Sequence, residues 1–398
     1  MADQTYKYII IGGGLTGVSA IEGIRELDKT GSILLVGQET PMPYDRPPLS
    51  KKLWFGKKQV ADIFLHDQKY YDDTGVKLAL GTKILVLQPD QKLIIDNQKN
   101  IFRYDKLLLA TGATSRKLTI PGGDLPEVCY YRYLDDYLAI RKQASAGKSA
   151  VIIGGGFIGS ELAAALNINQ VAVTMIFPEA YLVNRVFPDK LGFAIQKHYI
   201  DKGIKILNND KPISIAKSGD KYIIKTESSN QISTDMVIVG VGVAPEIKLA
   251  SDAGLITGNG IEVNAYLETS NPDIYAAGDV ALFPYQAFRQ LMRVEHWDNA
   301  LNQGKLAGKN MAGGKFPYLY MPYFFSDLFE FGYEAVGEVN SALETYADWK
   351  EPNVTGVIYY LKENKIRGVM LCNVWDKIEV ARKLINQSEL FVPRFFEA

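Results

Sequence analysis

The chain has 398 residues, of which 47% are hydrophobic and 22% are charged, and its formal net charge is -1. This length is ample for two or three domains, and the composition is ordinary for a soluble globular protein. The balanced charge argues against nucleic acid and membrane surfaces as general partners, and no apolar run reaches transmembrane length. The first predicted strand begins within a few residues of Met1 and leaves no room for a signal peptide, so we expect a cytoplasmic protein.

The first motif runs from Tyr6 to Gly17 and places Gly12, Gly14 and Gly17 at the spacing GxGxxG. The apolar run before the glycines suits a buried parallel strand. The glycines suit a tight turn, a close approach of backbone to a pyrophosphate, and close packing of the next helix. That helix would offer its N-terminal N–H groups to the phosphates. Although glycine-rich turns also occur without a ligand, the strand, turn and helix context predicts a dinucleotide-binding unit.

The ribose position of this unit lies about 20 residues further on, where Gln38 and Glu39 stand, and either could bind the hydroxyls. The loop 43–51 follows and reads PYDRPPLSK, with three prolines that stiffen it. Arg46 and Lys51 are therefore candidate cations for phosphates or a redox ring. Solvated charges on a rigid surface turn are the alternative.

A run of strands and turns over 76–112 ends in a buried strand and the small-residue turn Thr111-Gly112, which again lets backbone approach a ligand. The opening motif then recurs over 150–159 as AVIIGGGFIG, with glycines at positions 154, 156 and 159. Glu179 lies 20 residues after Gly159, at the ribose-hydroxyl position of this second unit. Two chance matches in the same structural context are improbable, so the sequence predicts two dinucleotide sites.

Two dinucleotide sites in one chain imply electron transfer between a flavin held permanently and a transient nicotinamide. The stretch 271–280, NPDIYAAGDV, predicts a strand that ends at Asp279, whose carboxylate could accept hydrogen bonds from a ribityl chain. An ordinary capped turn is the alternative there. Cys129 and Cys372 form no CxxC or CxxxxC pair, and the three histidines show no metal-ligand spacing, so neither a disulfide framework nor a metal is expected.

These segments together resemble the flavin-dependent pyridine-nucleotide oxidoreductases of the ferredoxin reductase and apoptosis-inducing-factor type. The motifs that carry the resemblance are GGGLTG (12–17), PYDRPPLSK (43–51), LLLATGA (107–113), IIGGGFIGSELA (152–163), YAAGDVA (275–281), RVEHWDNALNQGKLAGKNM (293–311) and PYFFSDLFEFGYEAVG (322–337). The apoptosis-inducing-factor branch is the nearer likeness, because of Phe177-Pro178-Glu179 and the C-terminal GYEAVG.

The resemblance implies an α/β fold with two Rossmann-like dinucleotide-binding domains. A split FAD domain would cover 1–112 and 245–316, with an NAD domain inserted over 113–244. A C-terminal α+β domain with antiparallel strands, 317–398, would pack over the flavin.

The resemblance also implies roles for individual residues, with Lys51, Glu161 and His296 as the catalytic ones. The expected FAD-side residues are Gly12, Gly14 and Gly17 at the pyrophosphate, Gln38 or Glu39 at the ribose, Arg46 as phosphate cation, Lys51 near flavin N5, Ile84 against adenine, Thr111 and Gly112 near the cofactor, Asp279 at the ribityl chain, Glu295 and His296 on the nicotinamide side, and Phe325 stacked on a ring. The expected NAD-side residues are Gly154, Gly156 and Gly159 in the second fingerprint, Phe157 covering the ring, Glu161 paired with Lys51, Glu179 at the ribose, and Arg185 near a phosphate.

The sequence departs from the family pattern at two of these positions. Gln38 stands where the family usually has the ribose acid, and Phe325 stands where it often has Trp, so the stacking ring remains but the indole N–H is lost. Relatives with a redox disulfide or a redox thiol place cysteine after the second strand, where this chain has RPPLSK (46–51). Electrons are therefore expected to leave straight from the flavin.

The implied activity is that of an NADH-dependent flavoprotein reductase. NADH would pass a hydride to the flavin, and the electrons would go to a ferredoxin, a rubredoxin or another acceptor such as a quinone. The run Lys51-Lys52 with Lys57-Lys58 could attract an acidic ferredoxin, or it could simply be a solvated lysine-rich loop. The alternative is a redox sensor or scaffold of the apoptosis-inducing-factor type that holds NAD in a long-lived charge-transfer complex. The acceptor and the oligomeric state, with a homodimer as one option, stay open.

Overall fold

The computed structural model describes residues 3–387, and these divide into two compact units. The first unit combines the residues up to Asp45 with Val60–Thr114 and Ala244–Pro322. The second combines Arg46–Gln59, Ser115–Val243 and the residues from Tyr323 on. The chain therefore leaves the first unit and returns to it after an insertion.

The main sheet of the first unit is built from the buried apolar runs that precede the glycine-rich turns. Its parallel strands are, in spatial order, Val76–Ala79, Ile33–Val36, Asp3–Ile11 and Ile101–Leu109, with Ile274–Ala276 paired to the last residues of Ile101–Leu109. The strands Leu93–Asp96 and Ile84–Gln88 extend it as an antiparallel hairpin. Continuous apolar strands such as Ile9 to Ile11 suit a parallel sheet that is covered on both faces.

Helices cover this sheet and close the unit. Helix Leu15–Leu27 follows the first glycine turn and packs against helix Trp297–Met311, which belongs to the returning part of the chain. A Cβ atom on Gly304 would lie 2.3 Å from the carbonyl oxygen of Thr16, and one on Gly308 would lie 2.0 Å from that of Ala20. Glycine is therefore required for these two helices to approach so closely.

The remaining elements of the first unit are short. The helices are Gln68–Asp73 and Lys248–Asp252, the 3-10 turns are Val60–Ile63, Pro89–Gln91, Gly278–Val280 and Gln286–Phe288, and the strands are Thr257–Gly258, Gly260–Glu262, Ala281–Tyr285 and Gln290–Met292. The strands Ala113–Ser115 and Val243–Pro245 mark where the chain leaves and re-enters the unit.

The second unit contains another parallel sheet. Its strands are, in spatial order, Lys205–Asn208, Ala172–Phe177, Ser149–Ile153, Met236–Val239 and Cys129–Tyr130. The helices of this part are Leu134–Gln143, Phe157–Ile168 and Asp189–Asp201, and an antiparallel sheet is formed by Pro212–Ser218, Lys221–Thr226 and Gln231–Thr234.

The C-terminal part of the second unit is an antiparallel sheet that carries helix Ile378–Asn386. Its strands are, in spatial order, Tyr323–Leu328, Phe331–Gly337, Lys365–Cys372, Thr355–Lys362 and Glu344–Glu351. The predicted fold class, with two Rossmann-like sheets and a C-terminal α+β part with antiparallel strands, is therefore confirmed.

The proline-rich segment Arg46–Gln59 packs within the second unit, whereas the predicted FAD domain ran unbroken through 1–112. Its 3-10 turn Pro47–Ser50 is held by the buried side chain of Trp54, whose Nε1 donates to the carbonyl oxygen of Leu49 at 2.8 Å. The hydroxyl of Tyr131 donates to the same oxygen at 2.5 Å. The division into three domains stays a prediction.

Candidate active site

The first fingerprint forms an open backbone cradle. Gly12 has φ +133°, and a Cβ atom there would lie 2.0 Å from the carbonyl oxygen of Ala110. A Cβ atom on Gly17 would lie 2.1 Å from the carbonyl oxygen of Gly12. At Gly14, by contrast, no atom of the described residues outside its own stretch of chain comes within 4 Å of such a Cβ position. Packing therefore demands the first and third glycines, and the second borders free space.

The second fingerprint repeats this arrangement. Cβ atoms on Gly154 and Gly159 would meet the carbonyl oxygens of Gly240 at 2.3 Å and of Gly154 at 2.1 Å, while Gly156 borders space free of any described atom within 4 Å. In both fingerprints the helix begins directly after the second glycine, and no side chain within residues 3–387 caps its N-terminus. Uncapped N–H groups behind an open glycine fit the pyrophosphate of a dinucleotide.

The segments that follow strands Ile101–Leu109 and Ile274–Ala276 lie beside the first cradle. The hydroxyl of Thr111 donates to the carbonyl oxygen of Glu246 at 2.8 Å, and the backbone N–H of Glu246 donates to the carbonyl oxygen of Gly112 at 2.9 Å. Gly278 lies against Thr16, because a Cβ atom there would be 2.3 Å from the Thr16 hydroxyl. The predicted ribityl partner Asp279 is therefore close to the start of the first fingerprint helix.

The predicted nicotinamide-side residues follow on the same edge. Arg293 donates to the carbonyl oxygen of Asp279 at 3.1 Å and forms an ion pair with Glu295. His296 is the N-cap residue of helix Trp297–Met311. Desolvation of the imidazole lowers the pKa of His296 to about 4, so this side chain is neutral at pH 7.

This lowered pKa predicts a loss of stability in acid. In the unfolded chain histidine has a pKa of about 6.5. Between about pH 6.5 and pH 4, His296 is therefore protonated in the unfolded state and neutral in the folded state. The free energy of unfolding consequently falls as the pH falls through that range. We expect the free energy of unfolding of the FAD-loaded protein to drop less between pH 7 and pH 4.5 in His296→Gln than in wild type, by at most about 3 kcal/mol. Urea titrations at fixed FAD concentration measure this, and equal drops would show that His296 is protonated in the folded state.

Gln38 and Glu39 both remain candidates for the ribose position of the first unit. The hydroxyl of Tyr44 donates to the carboxylate of Glu39, whereas Gln38 is exposed. The backbone N–H of Thr82 donates to the carbonyl oxygen of Gly37 at 2.9 Å, so the start of strand Ile84–Gln88 lies near this turn. Ile84 itself is buried. The choice between Gln38 and Glu39 stays open, although Glu39 already has a hydrogen-bond donor.

The second unit contains a buried ion pair between two predicted catalytic residues. Lys51 Nζ lies 3.1 Å from Glu161 Oε1, and the two side chains are 8% and 7% exposed. The hydroxyl of Ser50 donates to Glu161 Oε2 at 2.5 Å, and that of Ser326 donates to Glu161 Oε1 at 2.6 Å. Three donors thus satisfy both oxygens of the carboxylate, which is what a buried charge needs.

An aromatic ring lies over the cation of this pair, and further ring contacts occur in the same unit. Lys51 Nζ lies 4.7 Å from the ring centroid of Phe325, a cation–π distance. The ring of Phe157 meets that of Phe324 edge-on at 5.7 Å. The guanidinium of Arg46 lies 5.2 Å from the ring centroid of Tyr133. The structure therefore brings Lys51, Glu161 and Phe325 together as one cluster, with Phe157 beside its neighbour Phe324.

Sequence reasoning missed Ser50 and Ser326 as members of this cluster. Each lies next to a predicted residue, in PPLSK and in FFSD, but a serine in a loop or strand carries no signal of its own. The contacts to Glu161 span 111 and 165 residues of chain, and no local pattern predicts such pairs.

The NAD-side ribose position lies where strand Ala172–Phe177 ends. The backbone N–H of Asn209 donates to the carbonyl oxygen of Glu179 at 3.1 Å, which fixes the main chain there. The side chain of Glu179 is half-buried and that of Arg185 is exposed. Glu179 is thus held on a rigid strand end, while Arg185 lies on a long flexible stem.

Both cysteines are free thiols among the described residues. Burial raises the pKa of Cys129 to about 12 and raises that of Cys372 still further. Thiols of this kind are protonated at pH 7 and react slowly, because the thiolate is the nucleophile.

We therefore expect the Cys129→Ser/Cys372→Ser variant to keep NADH-driven dye reduction within about 2-fold of wild type, since neither thiol forms reactive thiolate. The assay is steady-state reduction of a one-electron dye by FAD-loaded protein, with flavin content measured in parallel. A folded, FAD-loaded variant without turnover would show that electrons pass through a thiol.

No helix within residues 3–387 is long and apolar enough to cross a membrane. Within the same part of the chain, no group of three or more His, Cys, Asp or Glu side chains has a geometry that could hold a metal ion.

Comparison with known proteins places these features in a family. The model for pyridine nucleotide-disulphide oxidoreductases matches residues 6–304, and that for the C-terminal part of mitochondrion-associated apoptosis-inducing factor matches 307–355 and 347–387. The chain is 32% identical to apoptosis-inducing factor 1, mitochondrial, of Dictyostelium discoideum, over 96% of this chain and 78% of that protein. It is 33% identical to monodehydroascorbate reductase 3 of Arabidopsis thaliana, over 93% of this chain and 90% of that protein.

A solved structure shows the same fold over nearly the whole chain. The covalent putidaredoxin reductase–putidaredoxin complex matches with a TM-score of 0.90 and 30% identity, over 98% of this chain and 94% of that one. The predicted resemblance and the predicted cofactors, FAD and NAD, are confirmed at the level of the family. A cytoplasmic location stays a prediction, since the Dictyostelium relative is named as mitochondrial. Because the family model covers most of the sequence and the relatives match at 32% and 33% identity, this chain belongs to the pyridine nucleotide-disulphide oxidoreductase family.

Proposed function

We propose that this chain is an NADH-dependent flavoprotein reductase whose electrons leave directly from the flavin to a one-electron acceptor, with a ferredoxin- or rubredoxin-type protein as the first candidate. The observation that carries the proposal is the buried Lys51–Glu161 pair in a segment without cysteine. FAD, when bound, supplies a ring that takes a hydride from NADH and releases electrons one at a time.

The residues that would hold FAD in the first unit are backbone groups and one carboxylate. Gly12, Gly14 and Gly17 would let the main chain approach the pyrophosphate, and the uncapped N–H groups of helix Leu15–Leu27 would donate to its oxygens. The carboxylate of Asp279 would accept hydrogen bonds from ribityl hydroxyls. The role of Arg46 as a phosphate cation stays a prediction.

The ammonium of Lys51 would supply a positive charge to the ring, and its partner Glu161 would hold that charge in a fixed position. A preorganised cation in a dry site stabilises negative charge as it develops on a reacting group, which favours reduction. Glu161 holds the ammonium of Lys51 in place, because removing a buried cation from its partner costs several kcal/mol. Ser50 and Ser326 fix both carboxylate oxygens and so orient Glu161.

The residues that would bind NADH follow the carboxyl ends of strands Ser149–Ile153 and Ala172–Phe177 in the second parallel sheet. Gly154, Gly156 and Gly159 form the second cradle, and Glu179 would accept hydrogen bonds from both ribose hydroxyls. The half-buried ring of Phe157 would keep water from the reacting face until the nicotinamide takes its place.

Two relatives support a one-electron acceptor. The solved reductase with 30% identity is in covalent complex with putidaredoxin, and the Arabidopsis relative is a monodehydroascorbate reductase. Exposed lysines such as Lys52 and Lys57 provide positive charge within the proline-rich segment, which suits an acidic carrier protein.

The test is stopped-flow reduction of FAD-loaded protein by NADH, followed by mixing with ferredoxin, rubredoxin, monodehydroascorbate or a quinone. We expect reduction faster than turnover, and reoxidation by the physiological class of acceptor at least about 100-fold faster than by oxygen. Reoxidation by oxygen alone, with every acceptor inert, would contradict the proposal.

A second candidate is an NADH sensor of the apoptosis-inducing-factor type, favoured by the match of that C-terminal model to 307–387. Such a protein would show slow reduction, a long-wavelength absorbance band that persists in air, and a change from monomer to homodimer on NADH addition. Absorbance spectra and light scattering with and without NADH separate the two candidates.

A further inference from the structure

The segment Val183–Phe187, called the 183–187 segment below, joins the NAD ribose position to helix Asp189–Asp201 and is held by the C-terminal sheet. Ser341 lies in the turn before strand Glu344–Glu351, and Tyr360 lies in strand Thr355–Lys362. Together they donate to three successive carbonyl oxygens of the segment: Ser341 Oγ to Asn184 at 2.5 Å, Ser341 N to Arg185 at 3.1 Å, and Tyr360 OH to Val186 at 2.8 Å.

The end of the 183–187 segment is anchored on the same sheet by packing. The ring of Phe187 is fully buried and meets the rings of Tyr333 at 5.2 Å and Phe331 at 6.1 Å, both edge-on. Tyr333 and Phe331 belong to strand Phe331–Gly337. The segment therefore follows the position of the C-terminal sheet.

The start of the segment is tied to the second fingerprint. The backbone N–H of Val183 donates to the carbonyl oxygen of Gly155 at 2.8 Å. Val183 has φ +54°, a left-handed conformation that is a true outlier for a β-branched residue and is therefore strained. The backbone preference of valine thus opposes the conformation of the 183–187 segment, and the contacts at the two ends of the segment maintain it.

On the basis of the proposed function, we infer that Ser341 and Tyr360 are positioning residues for the coenzyme. By holding the main chain of the 183–187 segment, they keep the second glycine cradle and the stem of Arg185 in the arrangement to which NADH binds. Neither residue lies in a dinucleotide motif. Their hydrogen bonds end on backbone carbonyls, so the effect passes through the position of the main chain.

Thermodynamic linkage adds a reciprocal expectation. If the hydrogen bonds from the C-terminal sheet to the 183–187 segment increase the affinity for NADH, bound NADH must stabilise those hydrogen bonds by the same factor. The backbone N–H of Ser341, which donates to Arg185, is a direct reporter because its exchange with solvent requires that hydrogen bond to open.

The experiment measures NADH affinity and the limiting rate of flavin reduction in the FAD-loaded protein, without any acceptor. Ser341→Ala and Tyr360→Phe are each expected to weaken NADH binding by about 3- to 10-fold, as loss of one hydrogen bond allows, and to leave the limiting rate within about 2-fold of wild type. Ser341→Thr keeps the hydroxyl and should restore affinity. Ser233→Ala and Tyr346→Phe, in other strands of the same unit, are the matched controls and should not change it.

Amide hydrogen exchange of the wild-type protein tests the inference even if a variant fails to fold. NADH should slow exchange of the Ser341 amide by about the factor that the variants lose in affinity. Unchanged affinity in both variants, an equal loss in the limiting rate, or an exchange rate of Ser341 that NADH does not alter would each overturn the inference. Because no acceptor is present, failure of the proposed acceptor chemistry would leave these measurements intact and would be seen separately.

Discussion

Lys51→Ala is expected to slow reduction of the flavin by NADH by about 100-fold or more while the protein keeps its FAD. The substitution removes the cation that would stabilise the reduced ring. It also leaves the carboxylate of Glu161 buried with two serine hydroxyls and without its 3.1 Å partner. Breaking a buried pair in this way costs about 3–5 kcal/mol. Stopped-flow absorbance measures the rate, and FAD content is read from the same spectrum.

Lys52→Ala is the matched control, because Lys52 is the exposed neighbour of Lys51 and should leave the rate unchanged. The double variant Lys51→Ala/Glu161→Gln separates stability from chemistry. Removing the lone carboxylate charge should restore much of the unfolding free energy without restoring the rate. An unchanged rate of reduction in Lys51→Ala would place Lys51 away from the flavin.

Wild-type protein is expected to prefer NADH over NADPH by about 10- to 100-fold in kcat/KM, or about 1–3 kcal/mol. The carboxylate of Glu179 accepts hydrogen bonds from ribose hydroxyls, but it would repel the 2′-phosphate of NADPH at short range. The side chain of Glu179 is half-buried, whereas that of Arg185 is long and exposed, so the carboxylate should dominate.

Glu179→Ala should narrow this preference mainly by weakening NADH. The measurement is the ratio of kcat/KM for the two coenzymes in both proteins. Glu227→Ala, which removes an exposed carboxylate elsewhere in the same unit, is the control and should keep the wild-type ratio. A wild type that prefers NADPH would show that Arg185 reads the ribose and Glu179 does not.

The glycine cradles could be predicted from sequence because part of what they require is local. Gly17 packs on Gly12, and Gly159 packs on Gly154, within one strand–turn–helix unit. The contacts of Gly12 with Ala110 and of Gly154 with Gly240 join distant parts of the chain, and the glycine spacing does not reveal them. The parallel strands were predictable as well, since burial on both faces demands continuous apolar runs.

The surroundings of Lys51 could not be predicted in this way. The resemblance supplied its pairing with Glu161, but the serine hydroxyls that complete the carboxylate come from elements far apart in the chain. The placement of Arg46–Gln59 in the second unit also results from contacts between residues that are far apart in the chain. It depends on contacts such as that between Trp54 and Tyr131, which are 77 residues apart and have no periodic signature.

The glycine-lined contact between helices Leu15–Leu27 and Trp297–Met311 has a consequence for biosynthesis. Helix Leu15–Leu27 cannot complete its packing against helix Trp297–Met311 until Met311 has been translated. Strand Ile274–Ala276 also joins the main sheet of the first unit late in synthesis. Because domains form as units during synthesis, the inserted parallel sheet can fold while the first unit is still incomplete. Stable FAD capture is therefore expected only after Met311 leaves the ribosome, which flavin binding by stalled nascent chains of increasing length would reveal.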